Sequence, residues 1–179
     1  GEDWLGEETR QQAIEKLRAI KTRVLYPDKL PDYSGLTLRS AAEGGSLLDA
    51  VADIRACETQ HTGDKVNRPI DRADWDLIEL PTNVANACYL PGSNVINILA
   101  GTMAGGALYD PEAPVEQNMA MLGVIVGHEI SHGFDTTGYY FDKEGLPNSW
   151  WTSEDELAFR DRADRLANYY STLSVLPNV

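Results

Sequence analysis

Cysteine, histidine and positive charge are scarce in this chain of 179 residues. Its two cysteines, Cys57 and Cys88, are too few for a disulfide framework and are compatible with a reducing compartment. The 15 basic side chains stand against 28 acidic ones, which leaves a net charge of −13. Because nucleic acids and anionic membrane surfaces are bound by clustered Lys and Arg, we expect neither of them as a partner.

Long hydrophobic runs are also missing. The longest good candidate, residues 119–126, is far shorter than the ~20 residues that span a bilayer, so we expect no membrane segment in this chain. No basic and apolar leader opens the sequence, which predicts that it carries no signal peptide. The opening also lacks an initiator methionine, and we expect the sequence to be a piece of a longer protein.

Hydrophobic periodicity predicts two helices in the first third of the chain. Apolar residues recur at spacings of three and four over residues 7–25, which indicates an amphipathic helix that opens on a capping box of Thr9 and Gln12. A second helix is predicted over residues 46–60. Ser46 suits its N-cap, since a hydroxyl there can accept a hydrogen bond from the first turn.

Two further helices are predicted in the second half. The most apolar segment, residues 115–133, has Pro114 placed to open a helix and Gly133 placed to close it. Another helix begins near Thr152 or Ser153, where three acidic residues follow at the positive end of the helix dipole.

Between residues 84 and 100 the pattern changes from helical to β. The runs VANACYL and VINILAG flank the turn signal PGSN at 91–94, which predicts a β-hairpin or two neighbouring strands. Helices combined with a small sheet make an α+β fold, mainly helical.

The stretch VIVGHEISHGFD, residues 124–135, places two of the three histidines four residues apart with a glutamate after the first. Residues i and i+4 share one face of a helix, so His128 and His132 can direct both imidazoles at one zinc ion. Glu129 is offset by about 100° and cannot easily join them as a ligand. It can instead take a proton from a zinc-bound water as that water attacks a carbonyl group, the chemistry of H-E-x-x-H peptidases.

Two alternatives stay open at this point. The histidines can be structural side chains that share a helix, and a zinc site needs a third protein ligand in any case. A metzincin would have glycine at 135 and histidine at 138, whereas this chain has Asp135 and Gly138, which excludes that class. Asp135 and Asp142 remain candidates for a carboxylate ligand. His61 is a third candidate, although a surface histidine is the favoured interpretation of it.

The motif and its surroundings resemble the neprilysin and endothelin-converting-enzyme family of zinc metallopeptidases, with its bacterial PepO-like members. The string G-H-E-I-x-H-G-F-D at 127–135 is specific, and the N-A-x-Y strand of the family is matched by NACY at 86–89. NSWWT at 148–152 and the segment DWLGEETRQQAIEKLRAIKTRVLYPD at 3–28 are similar to the family as well. The resemblance therefore covers nearly the whole chain.

The resemblance implies a thermolysin-like (gluzincin) active-site helix with His128 and His132 as zinc ligands and Glu129 as catalytic base. It implies further that Asn86 and Ala87 bind the backbone of a peptide substrate, a role that suits an exposed strand edge. The alternative for Asn86 is that its side chain caps its own turn.

The resemblance also divides the chain and bears on what it can do alone. Residues 1–80 correspond to the helical end of the N-terminal peptidase region, and residues 81–179 to the zinc-binding catalytic region. The family's third zinc ligand is a glutamate in an E-N-x-x-D-like segment on a later helix, and no such string occurs here. We therefore expect a catalytic region that is incomplete at its C-terminus, with the third ligand beyond Val179, and a chain that is inactive on its own.

The predicted function is that of a zinc metalloendopeptidase acting on oligopeptides, with zinc as cofactor and peptides as partners. The alternatives are a non-catalytic binding or structural fragment, and a zinc hydrolase with Asp135 or Asp142 as third ligand. Animal relatives are membrane-anchored and rich in disulfides, and a cysteine expected near Arg165 is absent. We therefore expect a bacterial, cytoplasmic location, with an exported form as the alternative.

Overall fold

The computed structural model describes residues 3–30, 32–69, 71, 74–75, 80–104, 106 and 108–173. Its helices are α1 (Glu7–Ala19), α2 (Leu47–Gly63), α3 (Ala100–Met103), α4 (Val115–Ser131) and α5 (Ser153–Ser171). Its strands are β1 (Lys21–Leu25), β2 (Ala87–Leu90) and β3 (Val95–Leu99), and short 3-10 turns cover Ala41–Glu43, Pro91–Ser93 and Gly138–Tyr140. Within the residues described, every helix is too short or too polar to span a lipid bilayer.

The chain forms two compact units. The larger comprises Gly1–Tyr26 together with Ile78–Val179, and the smaller comprises Pro27–Leu77 and contains α2. In the smaller unit Ser46 caps α2 as predicted, because its hydroxyl accepts a hydrogen bond from the backbone N–H of Asp49 at 3.1 Å. The division of the chain at residue 80 stays a prediction.

The three strands of the larger unit form one mixed sheet in the order β1–β3–β2. The central strand β3 is buried throughout, and its sequence VINIL is rich in the β-branched side chains that pack well on a pleated surface. It pairs antiparallel with β2, which confirms the predicted hairpin, and parallel with β1. This order leaves β2 at one edge of the sheet.

The prediction of one helix over residues 7–25 is wrong in its second half. Helix α1 ends at Ala19, and the next residues form β1. Strand β1 pairs with the buried strand β3 along its whole length. Its backbone hydrogen bonds to a buried strand outweigh the helical spacing of Val24 and Leu25.

The capping box predicted at Thr9 is also wrong, because the hydroxyl group binds another helix instead. Helix α1 begins after Gly6, and Thr9 Oγ1 donates to the carboxylate of Asp155 at 2.5 Å. The same carboxylate accepts from the backbone N–H of Gly6 at 2.8 Å and from Thr152 Oγ1 at 2.7 Å. Burial by itself raises the pKa of Asp155, but these hydrogen bonds outweigh it and hold the pKa below its usual range.

One face of the sheet packs against α4. Four buried side chains of the sheet lie against four apolar side chains of that helix: Ala87, Tyr89, Ile96 and Ile98 against Leu122, Ile125, Val126 and Ile130. Pro114 is the N-cap of α4 and the helix ends at Ser131, within two residues of the predicted end. The sheet therefore holds the second half of α4 and brings its C-terminal turn close to β2.

Candidate metal centre

The two histidines of the motif lie at the C-terminal end of α4 with their rings close together. Nε2 of His128 is 3.1 Å from Nε2 of His132. Two nitrogens bound to one tetrahedral zinc ion at 2.0–2.1 Å lie about 3.3 Å apart, so the pair fits a single ion. Among the residues that the structure describes, these histidines and Glu129 form the one group of possible ligands whose atoms converge, all within 4.8 Å of one another.

Asp135 fixes the orientation of the second histidine. One of its carboxylate oxygens is 2.7 Å from Nδ1 of His132, and the other accepts from the backbone N–H groups of Thr137 and Gly138, each at 2.8 Å. A proton on Nδ1 that is shared with this carboxylate leaves the lone pair of Nε2 for a metal ion. Burial raises the pKa of Asp135, but its hydrogen bonds to the imidazole and to the two backbone groups outweigh it, so the net pKa is lowered.

The two carboxylates weighed from the sequence as alternative ligands, Asp135 and Asp142, are bound to other groups. Nδ1 and Nε2 lie on opposite sides of an imidazole, so the carboxylate of Asp135 faces away from the metal-binding atom. Asp142 Oδ1 accepts from two backbone N–H groups of its own turn, both at 2.9 Å. His61 lies in the unit Pro27–Leu77, with its ring 5.9 Å from the ring of Tyr33. Neither carboxylate belongs to the converging group found among the described residues.

A cavity of about 520 Å³ lies between β2 and the end of α4. On the helix side it is lined by both histidines and Glu129. Glu129 is buried, with only 6% of its surface exposed. The strand side is formed by Asn86, Ala87 and the two residues that follow them. The volume falls in the ~300–1,000 Å³ range of ligand pockets. The carboxylate of Glu129 and the imidazole rings of the two histidines therefore line the same space.

Asn86 and Ala87, predicted to bind substrate, are both brought to this cavity. Ala87 is the first residue of the edge strand β2 and Asn86 directly precedes it, on the strand side of the cavity. The side-chain oxygen of Asn86 accepts a hydrogen bond from the backbone N–H of Ala87 at 2.9 Å, so the turn-capping arrangement is present. Their role in binding a peptide stays a prediction.

Sequence reasoning did not find Lys16, a fully buried lysine that contacts the loop after α4. Its spacing in the sequence nevertheless indicates that it is buried. Lys16 lies three residues after Ala13 and four before Ile20, which places it on the buried face of α1. A lysine at such a position needs hydrogen-bond partners, because a buried ammonium group without them is costly.

Comparison with known sequences agrees with the geometry of the centre. The sequence model of peptidase family M13 matches residues 86–179. The chain is 38% identical over 161 residues to a neutral endopeptidase of Lactococcus lactis subsp. cremoris, covering 89% of this chain and 24% of that protein. It is 30% identical over 175 residues to human endothelin-converting enzyme-like 1, covering 97% of this chain and 22% of that protein. The chain thus spans about a quarter of the length of these relatives.

Solved structures share the fold. The zinc metalloprotease Zmp1 of Mycobacterium tuberculosis, crystallised with an inhibitor, matches with a TM-score of 0.83 and 32% identity, over 97% of this chain and 25% of the other. PepO from Lactobacillus rhamnosis HN001 matches with a TM-score of 0.79 and 30% identity, over 92% of this chain and 25% of the other. The predicted α+β, mainly helical fold with a zinc-peptidase helix is confirmed.

Proposed function

The chain belongs to peptidase family M13, and from this premise we propose that the whole protein is a zinc metalloendopeptidase that hydrolyses oligopeptides. The observation that carries the proposal is the convergence of His128, Glu129 and His132 on one cavity. Zinc is the proposed metal because imidazole nitrogens suit it and because Zmp1 is a zinc metalloprotease. Endopeptidase activity is supported by the name of the Lactococcus relative.

Each residue of the centre has a defined task in this proposal. His128 and His132 hold the metal through Nε2, and Asp135 keeps the proton of His132 on Nδ1. When bound, zinc supplies a Lewis acid that lowers the pKa of a water ligand to about 7 and polarises a carbonyl group. Glu129 is the general base, which takes a proton from water and passes it to the leaving amine.

Peptides are the proposed substrates because an edge strand borders the cavity. Strand β2 lies at one edge of the sheet, and its first residues line the cavity beside the histidines. An extended peptide can add to such an edge through backbone hydrogen bonds. The side-chain amide of Asn86 can both donate to and accept from the peptide backbone, which would hold one peptide group in register.

The test is the substitution Glu129→Gln in the full-length protein. We expect kcat/KM for an oligopeptide to fall by about 10²–10⁴, the usual contribution of a general base. Zinc content should stay unchanged, since the glutamate is assigned no ligand role. Glu116→Gln is the matched control, because Glu116 is an exposed glutamate in the first turn of the same helix. Cleavage by Glu129→Gln at the rate of the wild type would refute the proposal.

A further inference from the structure

The side chain of Lys16, on α1, is anchored in the loop that follows α4. Lys16 is 1% exposed, and its ammonium group donates to three backbone carbonyl oxygens: Gly133 at 2.6 Å, Gly138 at 2.7 Å and Phe141 at 2.6 Å. All three donors of the ammonium group are thereby used. Burial lowers the pKa of Lys16 to about 8, so the group still carries its charge at neutral pH.

These carbonyl groups flank Asp135 on both sides. Gly138 makes two of the contacts at once, since its N–H donates to Asp135 Oδ1 at 2.8 Å while its carbonyl accepts from Lys16. The other oxygen of Asp135 is bound to Nδ1 of His132 at 2.7 Å. Hydrogen bonds linked through the backbone of Gly138 and the carboxylate of Asp135 therefore connect α1 to the imidazole of His132.

The loop folds back closely enough that a larger residue would not fit at its centre. A Cβ atom on Gly138 would lie 1.8 Å from the carbonyl oxygen of His132. The backbone of Lys16 is held as well, because its carbonyl accepts from Nδ2 of Asn94 at 3.2 Å, and the same amide donates to the carbonyl of Lys143 at 3.0 Å. The side chain of Lys16 is thus bound to this loop, and its backbone is linked through Asn94 to Lys143, just after the loop.

We propose that Lys16 is a positioning residue of the metal centre. It holds the loop of residues 133–141 in the conformation in which Asp135 orients the imidazole of His132. Lys16 does not touch the metal-binding atoms, so its effect on metal affinity passes through Asp135. The inference rests on the proposed zinc site and extends it to a helix that supplies none of the converging ligand atoms.

The test is the zinc affinity of the full-length protein, measured by competition with a chelating dye. Lys16→Met keeps the length and the apolar part of the side chain but removes all three donors. We expect the zinc Kd to rise about 10–100-fold, the range found when an outer-shell partner of a ligand is lost. In the metal-free protein, the ¹⁵N chemical shifts of the two ring nitrogens of His132 measure which of them carries the proton. We expect Lys16→Met to lower the fraction that carries it on Nδ1.

Thr9→Val is the matched control, because Thr9 lies on the same helix and is equally buried, at 0% exposed. Its hydroxyl binds Asp155 and not the loop. We expect this substitution to lower Tm but to leave the zinc Kd within twofold at temperatures where the protein is folded. Circular dichroism checks folding for every variant. If Lys16→Met does not fold, Lys16→Gln, which keeps an amide donor, takes its place.

A double-mutant cycle tests the route through Asp135. If Lys16 acts on His132 only through Asp135, Lys16→Met adds less than about twofold to the Kd of Asp135→Asn. Independent effects, or a Kd in Lys16→Met no higher than in Thr9→Val, would overturn the inference. Failure of the wild type to bind zinc would instead refute the proposed function, and this inference with it.

Discussion

Helices α4 and α1 contribute to the metal centre in opposite ways. Helix α4 and its C-cap carry the two histidines and Glu129 within about one turn, and the i, i+4 spacing of the histidines brings their imidazoles together. Helix α1 supplies none of the converging ligand atoms. Its buried Lys16 and Thr9 instead act on partners 117 and 146 residues away in sequence. The two histidines and Glu129 are neighbours in sequence, whereas Lys16 and Thr9 make contacts with distant segments.

The largest effect on zinc affinity is expected at Asp135, which contacts both His132 of the metal centre and Gly138 of the loop that Lys16 holds. Asp135→Asn keeps the size of the side chain but removes the charge that favours a proton on Nδ1 of His132. We expect the zinc Kd to rise about 10–100-fold in a chelator competition assay. Asp161→Asn is the control, because Asp161 forms an exposed ion pair with Arg165 on α5. Equal affinities in the two variants would show that Asp135 does not tune the centre.

A smaller effect is expected on the strand side of the cavity. Asn86→Ala removes the amide that we assign to the substrate backbone, and one lost hydrogen bond of about 1 kcal/mol corresponds to roughly fivefold in kcat/KM. Zinc affinity should not change, because Asn86 directly precedes β2 and is not among the converging ligands. Peptide hydrolysis is measured over a range of substrate concentrations. A change in kcat/KM of less than twofold would remove Asn86 from the substrate site.

The smallest effect is expected at the other contact of α1, in the way stability depends on pH in acid. The pKa of Asp155 is lowered in the folded chain, so near and below about pH 4 the unfolded chain binds more protons than the folded chain. The free energy of unfolding therefore decreases as the pH is lowered through this range. Asp155→Asn abolishes this titration, and we expect its free energy of unfolding to fall less steeply between about pH 4 and pH 2. Urea unfolding at several pH values measures the slopes. Identical slopes in wild type and variant would contradict the assignment.

Asp155→Asn also separates the two ends of α1. Its contacts are with Gly6, Thr9 and Thr152, and none of these lies in the loop after α4. At neutral pH we therefore expect it to lower stability without raising the zinc Kd more than twofold. A loss of zinc affinity as large as that of Asp135→Asn would mean that the two ends of α1 are not independent.

Local patterns in the sequence predicted the parts of the fold that depend on neighbouring residues. The H-E-x-x-H spacing predicted that the two imidazoles lie together, and the turn signal before β3 predicted a hairpin or two neighbouring strands. Ser46 was the predicted cap of α2, and the start of α5 was predicted near Thr152 or Ser153. The resemblance to the neprilysin and PepO-like peptidases is confirmed by the family match. Each of these features is specified within a few residues of sequence.

Features that depend on distant segments could not be predicted in this way. Helix α1 ends earlier than its periodicity indicates, because a free edge of β3 is available to residues 21–25. Thr9 resembles a helix cap in sequence, but the carboxylate that binds it is on α5. Asp135 follows the helix closely enough to be taken for a ligand, and only the position of the imidazole shows which nitrogen it faces.

The central claim is that one zinc ion is held by the histidines of α4. Its most direct test is the zinc content of the full-length protein and of two histidine variants, measured by atomic absorption after dialysis. We predict one zinc per chain in the wild type and in His61→Phe, and none in His132→Phe. Zinc retained by His132→Phe, or lost from His61→Phe, would contradict the account.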